Sequence, residues 1–180
     1  MNTNHLTTIK ARIQSTPLSQ PPSPWRKIGA LAVGGLRSIG FDTDSELVLV
    51  VSNAGRGVIN CESMEKVSRD CEEYYGSERF LEAKGIGPLL GRTIRVSGVF
   101  GGGLINTTHD GWSIESAFID WPIQEVLLLE PFHTIYGERY GKPGIFHKIF
   151  RDFEVLAAGF SYSGRSLIVA TSSDITVWGR

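Results

Sequence analysis

Two distant stretches of the chain share one β-forming pattern, and this repetition constrains the fold more than any other feature. Residues 159–178 contain an aromatic residue, a polar turn and an apolar run, followed by a second turn and a final apolar strand. An imperfect copy begins at Gly40, where Phe41 and a polar turn lead into the apolar run at residues 47–51. Short apolar runs between turn residues are typical of β-strands. The sequence therefore predicts a β unit near each end.

The length and composition are those of one globular domain. A chain of 180 residues with 41% hydrophobic residues is long enough to bury one core. We predict a mainly β fold, with α+β as the alternative: an open antiparallel sheet or sandwich of about 8–10 strands with one or two short helices. Residues 25–180 are expected to form this single β-rich domain, in which the two end units pair.

Three segments outside the end units carry other patterns. Residues 1–24 are rich in Ser, Thr, Asn, Gln and Pro and predict a flexible arm, with a helical turn or two at residues 5–13. Residues 70–84 predict a short surface helix or an irregular excursion. Residues 144–153 predict a short helix, because Ile145, Ile149 and Phe153 follow helical spacing.

Charge and cysteine content exclude several classes of function. Eighteen basic and nineteen acidic side chains leave a formal net charge of -1, which disfavours binding to nucleic acid or an anionic membrane. No apolar stretch approaches the roughly 20 residues that span a bilayer, and residues 1–24 lack the apolar core of a secretory signal. We therefore expect a cytoplasmic protein. The spacing of Cys61 and Cys71 fits neither a redox motif nor a zinc site, which predicts reduced thiols.

The C-terminal unit also carries a family resemblance. It has an aromatic residue after a glycine, Ser-Ser-Asp at residues 172–174, and a strand that ends in Val177 and Trp178. This order resembles a single blade of a WD40-type propeller, and the unit at Gly40 resembles one less closely. A closed propeller needs at least about four blades, whereas residues 70–152 show no blade pattern. The resemblance implies blade-like end units and not a closed propeller.

A second resemblance covers the chain from about Trp25 onward. Four central segments carry it together with the end units, and these are residues 85–89, 95–98, 101–104 and 110–113. With these segments the chain is similar to a family of uncharacterised bacterial proteins. The resemblance implies a small stand-alone bacterial protein and brings no known activity, cofactor or ligand, so no functional residue is carried over.

Glycine-rich segments do not form a nucleotide-binding motif. The spacing of Gly85, Gly87 and Gly91 departs from the dinucleotide-binding pattern and follows no predicted strand. The triplet at residues 101–103 lacks the following Lys and Ser or Thr of a phosphate-binding loop. We therefore predict no cofactor.

One polar cluster is a candidate binding site. His109, Asp110 and Trp112 follow the glycine triplet, and an acid–base role for His109 requires a remote partner such as Glu115 or His133. In the alternative, Asp110 caps a turn and His109 is solvated. The four histidines are too scattered to predict a metal site, and they are His5, His109, His133 and His147.

A second candidate is the aromatic segment that contains Phe132, His133, Tyr136 and Tyr140, together with Glu138 and Arg139. Exposed aromatic and Arg side chains dominate the energetics of protein interfaces, so this segment and the acidic residues 70–75 predict a contact surface. In the alternative, the aromatic rings fold back over the core.

These patterns favour a non-enzymatic module that binds another protein, and a bacterial immunity or antitoxin-like protein is one specific form of it. A small hydrolase or small-molecule-binding enzyme with a site around residues 101–112 is an alternative. A self-associating β-domain is a second alternative, because the strand at residues 175–178 has no strand after it. The sequence contains no catalytic signature.

Overall fold

The chain folds into open antiparallel β-sheets. The computed structural model describes residues 4–74 and 76–180. It confirms the predicted class: the described residues are mostly β, with one α-helix and no closed barrel or propeller. The described part contains fourteen strands, which is more than the 8–10 predicted.

The elements in chain order are α1 (Asn4–Ser15), β1 (Arg26–Ala32), β2 (Leu36–Phe41), β3 (Leu47–Ser52), β4 (Gly55–Asn60), β5 (Lys66–Arg69), β6 (Glu82–Lys84), β7 (Thr93–Arg95), β8 (Ser97–Gly98), β9 (Ser113–Asp120), β10 (Ile123–Leu129), β11 (Phe146–Asp152), β12 (Val155–Phe160), β13 (Ser166–Thr171) and β14 (Asp174–Gly179). Short 3₁₀ helices lie at Ser77–Phe80, Gly87–Leu89 and Gly137–Tyr140. The N-terminal sheet has the order β5-β4-β3-β2-β8, and the C-terminal sheet has the order β1-β14-β13-β12. A third sheet, β11-β10-β9, is called here the helix-covered sheet, and β6 pairs with β7 in a separate ribbon.

The two end units pack on each other and share one core. Buried side chains from both sheets form one apolar cluster, whose members include Ile39, Val48, Val50, Ile168 and Ile175. Burying each such side chain contributes about 1.5–3 kcal/mol. The turns of the two units also meet, because the Ser163 hydroxyl lies 2.5 Å from the Glu46 carboxylate. The units therefore join through side chains and through the hydrogen bond from the Leu36 amide to the Ser172 carbonyl, and not through a shared strand ladder.

The C-terminal strand β14 is not an edge strand, so the prediction of an unpaired strand there is wrong. β14 lies between β13 and β1, with Leu31 opposite Ile175 in the antiparallel β1 pairing. A turn at Gly35, with φ +66°, separates β1 from β2. The two strands then enter different sheets, which places β1 beside β14.

The predicted flexible arm is wrong for most of its described length. α1 packs on the helix-covered sheet, where Ile9 and Ile13 are buried with Leu127 and Leu129. The predicted helical turns at residues 5–13 lie within α1. An amphipathic helix becomes ordered when its apolar stripe has a surface to cover, and the sheet provides that surface.

The predicted helix at residues 144–153 is also wrong, because this segment is strand β11. Of the three residues at helical spacing, only Ile149 is buried, whereas Ile145 and Phe153 are exposed. Residues 70–84 form a 3₁₀ helix and β6 rather than an α-helix. Tyr75, part of the predicted acidic stretch, lies outside the described residues.

Candidate binding surface

Asp110 is held in place by Arg180. The Arg180 guanidinium donates to both carboxylate oxygens, with Nη1–Oδ2 and Nη2–Oδ1 distances of 2.5 and 2.8 Å. The Thr108 hydroxyl donates to Oδ1 at 2.7 Å. The bonds from Arg180 hold the pKa of Asp110 well below its usual range, against the opposing effect of partial burial. Asp110 therefore serves as a structural anchor for Arg180.

Trp112 belongs to the core and is not available to a ligand. Its side chain is 6% exposed, and its ring meets the Trp25 ring edge-on at a centroid distance of 6.2 Å. Trp112, predicted as a binding residue, instead fills the space between the helix-covered and C-terminal sheets.

His109 is exposed in a turn and makes no hydrogen bond or ion pair with any residue in 4–74 or 76–180. The predicted enzyme site required a carboxylate within hydrogen-bond reach of this imidazole. The nearest carboxylate in sequence, that of Asp110, is bonded to Arg180 and Thr108 instead. The described residues therefore do not form the acid–base pair on which the enzyme alternative rested.

Residues 131–145, called here the aromatic loop, display most of their large side chains to solvent. Phe132 is 86% exposed and Tyr140 is 74% exposed, and Tyr136 is also exposed. Only Ile135 folds back, where it is buried under α1 in the cluster that contains Ile13. The alternative in which the aromatic rings cover the core is therefore wrong for these three rings.

Phe132 adopts a backbone conformation that is unfavourable for its side chain. The His133 amide donates to the Glu130 carbonyl at 3.0 Å, and Phe132 has φ +63°. With Pro131 at the second position, this is the geometry of a type II turn, in which the third position favours glycine. A bulky residue there is strained, and such strain persists at sites where function retains it.

Phe132 also joins the aromatic loop to the turn that contains His109. Its amide donates to the Gly111 carbonyl at 3.0 Å. Its ring lies against Gly111, where an added Cβ would be 2.8 Å from the ring edge. The structure therefore brings the two predicted clusters together at one contact, although the cluster residues do not form a catalytic arrangement.

The base of the loop is clamped by hydrogen bonds. His133 accepts from the Ile145 amide through Nδ1 at 3.1 Å, and the Glu130 amide donates to the Ile145 carbonyl at 3.1 Å. His147 Nε2 lies 2.9 Å from Glu130 Oε1. His133 thus has a structural role, and the sequence analysis missed the pairing of His147 with Glu130.

Helix α1 holds the outer part of the loop through Arg12. Its guanidinium lies 3.2 Å from the Glu138 carboxylate, donates to the Gly144 carbonyl and stacks 4.6 Å from the centroid of the Phe146 ring. Because the two elements are 126 positions apart in sequence, no local pattern indicates this contact. The segment predicted to be a flexible arm is thus the support of the candidate surface.

The exposed side of the loop carries unpaired positive charge. Arg12 neutralises Glu138, whereas the described residues provide no ion pair for Arg139 or Lys142. The Arg139 guanidinium lies 6.0 Å from the centroid of the Tyr140 ring. The surface therefore combines exposed aromatic rings with Arg139, residue types that are enriched in the central residues of protein interfaces, and Lys142 adds a second positive charge.

The same short motif occurs a second time in the chain. Residues 78–80 repeat the order Glu-Arg-aromatic of residues 138–140, and each triplet ends a 3₁₀ helix. Glu78 pairs with Arg37 at 3.0 Å, and the Arg79 guanidinium lies 4.8 Å from the centroid of the exposed Phe80 ring. This repetition is visible in the sequence, and the sequence analysis missed it.

The acidic stretch at residues 70–75 has a structural role where it is described. Asp70 pairs with the Arg56 guanidinium at 2.7 Å, and the Tyr74 hydroxyl accepts from the Lys84 amide at 2.8 Å. These contacts tie the stretch to β4 and β6. Glu72 and Glu73 stay exposed, and the part of this stretch in a contact surface stays a prediction.

The described residues contain neither a metal-binding cluster nor a membrane-spanning helix. No three His, Cys, Asp or Glu side chains among them are placed to hold a metal ion. Within the same residues, no helix has the length and apolar character that crossing a membrane requires.

The chain was compared with protein-family models and with curated proteins. No family model matches it, and no curated protein matches it.

Proposed function

We propose that this chain is a non-enzymatic module that binds another protein through the aromatic loop. The observation that carries the proposal is the strained, 86% exposed side chain of Phe132. The backbone conformation at this position costs about 1–2 kcal/mol for a residue with a Cβ atom. The small buried area of the ring contributes little to the stability of the fold and does not offset this cost. A contact between this ring and a partner protein would explain why an aromatic residue occupies position 132.

The clamped loop base favours tight binding. Hydrogen bonds at His133 and the Arg12–Glu138 ion pair fix the loop before any partner arrives. Ordering of a loop on binding costs affinity, so a loop that is already fixed avoids part of that cost. Tyrosine and phenylalanine add a large contact area with few rotatable bonds.

The charge on the loop indicates the chemistry of the partner. Arg139 and Lys142 flank the aromatic rings and form no ion pair with a described residue. An apolar pocket with an acidic rim on another protein is complementary to this surface. In the specific form of the proposal, the chain is a cytoplasmic, bacterial immunity or antitoxin-like protein that holds such a partner.

The test compares three baits in extracts of the host cell: the unchanged chain, Tyr136→Ala/Tyr140→Ala, and Phe153→Ala. Phe153 is a matched control, because it is an exposed aromatic residue in a plain turn between β11 and β12. We expect one stoichiometric partner with the unchanged and Phe153→Ala baits. With the purified partner, the double variant should weaken binding by at least about 30-fold, as loss of a hot spot does.

Two results would count against this proposal. One is the absence of any stoichiometric partner, and the other is equal affinity for the double variant. Light scattering on the pure protein separates a further case, in which the partner is a second copy of the chain. The measured mass would then be that of a dimer and would return to that of a monomer in the double variant.

A further inference from the structure

The two packed sheets differ in width, and this leaves one strand uncovered. The N-terminal sheet has five strands and the C-terminal sheet has four, with β12 lying over β2 and β8. Because β12 lies over one end of the N-terminal sheet, β1, at the opposite edge of the C-terminal sheet, lies over β4 and β5 at the other end. Three of the four residues of β5 are accordingly exposed, including Val67 at 47%. The sandwich is therefore open along the β5 side.

β1 presents an unpaired strand edge toward this opening. In the described structure β1 has β14 as a strand neighbour on one side and none on the other. Half of the amide and carbonyl groups of an edge strand point away from its neighbour. A bulge between Lys27 and Gly29 disrupts the first part of the edge, whereas residues 29–32 pair regularly with β14 and carry no charge.

A groove lies below this edge. It has a volume of about 130 Å³, and its lining includes Leu31, Val33, Val50, Gly57 and Ile59. Gly57 leaves room at the centre, because an added Cβ would meet only the Ser68 carbonyl oxygen at 3.7 Å. The floor is thus apolar and contains space for a small side chain.

The far rim of the groove is positively charged. In the β4–β5 ladder, Lys66 lies opposite Ile59 and Arg69 lies opposite Gly57. Cross-strand partners share a face of the sheet, and Ile59 faces the C-terminal sheet. Both cations therefore project over the groove. Both are exposed, and neither forms an ion pair with any residue in the described ranges.

We propose that the free edge of β1 accepts an extended acidic segment of a partner protein as a fifth strand of the C-terminal sheet. Backbone hydrogen bonds to residues 29–32 would hold the segment, as in other cases of strand addition. Its inward side chains would cover Gly57 and place carboxylates near Lys66 and Arg69. This site is separate from the aromatic loop, which belongs to the helix-covered sheet, and either site can fail without the other.

The direct test uses a labelled peptide of about six residues in which every second residue is Thr and the residues between them are Val, Glu and Glu, so that the Val and both carboxylates share the inward face. This length is enough to pair with residues 29–32 at about 3.3 Å per residue. The same peptide with Lys in place of Glu is the charge control. We expect saturable binding of the acidic peptide, weaker binding at high salt, and slower hydrogen exchange at amides of residues 29–32. Binding without protection of those amides would overturn the proposal, as would equal binding of the two peptides.

Two variants locate the site. Gly57→Val fills the groove and suits a strand, because position 57 does not have a positive φ and has space for a Cβ. Gly103→Val is the matched control, since Gly103 also has open space and lies outside the groove. We expect affinity for the acidic peptide to fall at least about tenfold for Gly57→Val and for Lys66→Glu/Arg69→Glu, and to stay unchanged for Gly103→Val. Full affinity in either groove variant would refute the assignment.

Discussion

Replacing Phe132 tests whether this side chain serves the fold or something outside it. The ring is 86% exposed, so about 14% of it (100 − 86) is covered. For an aromatic side chain of roughly 200 Å² this is about 30 Å², which corresponds to about 0.7 kcal/mol of burial. Phe132→Ala should therefore lower the free energy of unfolding by about 0.5 kcal/mol, because alanine keeps the Cβ atom and the backbone strain.

Phe132→Gly should recover that loss. Glycine removes a strain of about 1–2 kcal/mol at a positive φ, and its greater freedom in the unfolded chain offsets about 0.5–1 kcal/mol of this gain. At φ +63° the glycine variant should thus be more stable than the alanine variant by about 0.7 kcal/mol. The glycine variant would then match the unchanged protein within about 0.5 kcal/mol.

Urea unfolding with equal m-values measures these differences, and about 0.7 kcal/mol corresponds to about 2 °C in melting temperature for a chain of this size. The same pair of substitutions at Phe153, which does not have a positive φ, is the control. There glycine should be less stable than alanine by about 0.5–1 kcal/mol. If glycine is the less stable residue at position 132 as well, Phe132 is not strained and the argument for its function fails.

Three further outcomes follow from other parts of the structure. Arg180 depresses the pKa of Asp110 in the folded state, so the stability from this pair is present above about pH 4 and lost at lower pH. The urea midpoints of the unchanged protein and Asp110→Asn should therefore differ less as the pH falls from about 5 to about 2. Burial, reinforced by the charges of Glu46 and Glu62, raises the pKa of the Cys61 thiol to about 12. A thiol reagent should therefore label exposed Cys71 in the folded protein and Cys61 only after unfolding, and equal labelling rates would contradict this. Ile13→Ala should cost about 2–5 kcal/mol, and Leu6→Ala, at an exposed position of the same helix, less than about 0.5 kcal/mol; similar melting temperatures for the two variants would show that α1 is not packed on the sheet.

The sequence predicted the β units well, because their signal is local. The apolar run at residues 47–51 and its polar turn specify a strand without reference to distant residues, and β3 forms there. The pairing of β1 with β14 joins Leu31 to Ile175, and neither segment identifies its partner. Non-local pairing of this kind cannot be read from a single sequence, so β14 was mistaken for an edge.

The helix predicted at residues 144–153 shows how spacing alone misleads. Ile145, Ile149 and Phe153 are four residues apart, which fits one helix face. In β11 a bulge opposite Val126 interrupts the regular alternation of the strand. Of the three residues only Ile149 lies in β11, whereas Ile145 and Phe153 flank its two ends. Their spacing of four is therefore a coincidence that favours the wrong element.

The candidate surface could be predicted in composition but not in geometry. The aromatic and charged residues of the loop were identified from sequence, whereas the strain at Phe132 and the support from Arg12 depend on backbone angles and on a contact across 126 positions. Asp110 and Trp112 were assigned to a binding site from their residue types. Both are satisfied within the fold, one by Arg180 and one by the core.

The repeated Glu-Arg-aromatic turn explains how the chain presents an exposed ring without leaving it mobile. In each copy an arginine from a distant element, Arg12 or Arg37, binds the glutamate, and the neighbouring arginine lies over the aromatic ring. The distant arginine neutralises the glutamate, so the arginine next to the ring, Arg139 or Arg79, does not pair with it. Its positive charge can therefore interact with a partner. A ring fixed in this way loses little entropy on contact with a partner, and its flanking cation selects partners with an acidic rim. Such an arrangement suits recognition of a rigid surface better than it suits catalysis, which requires groups that converge on a common point.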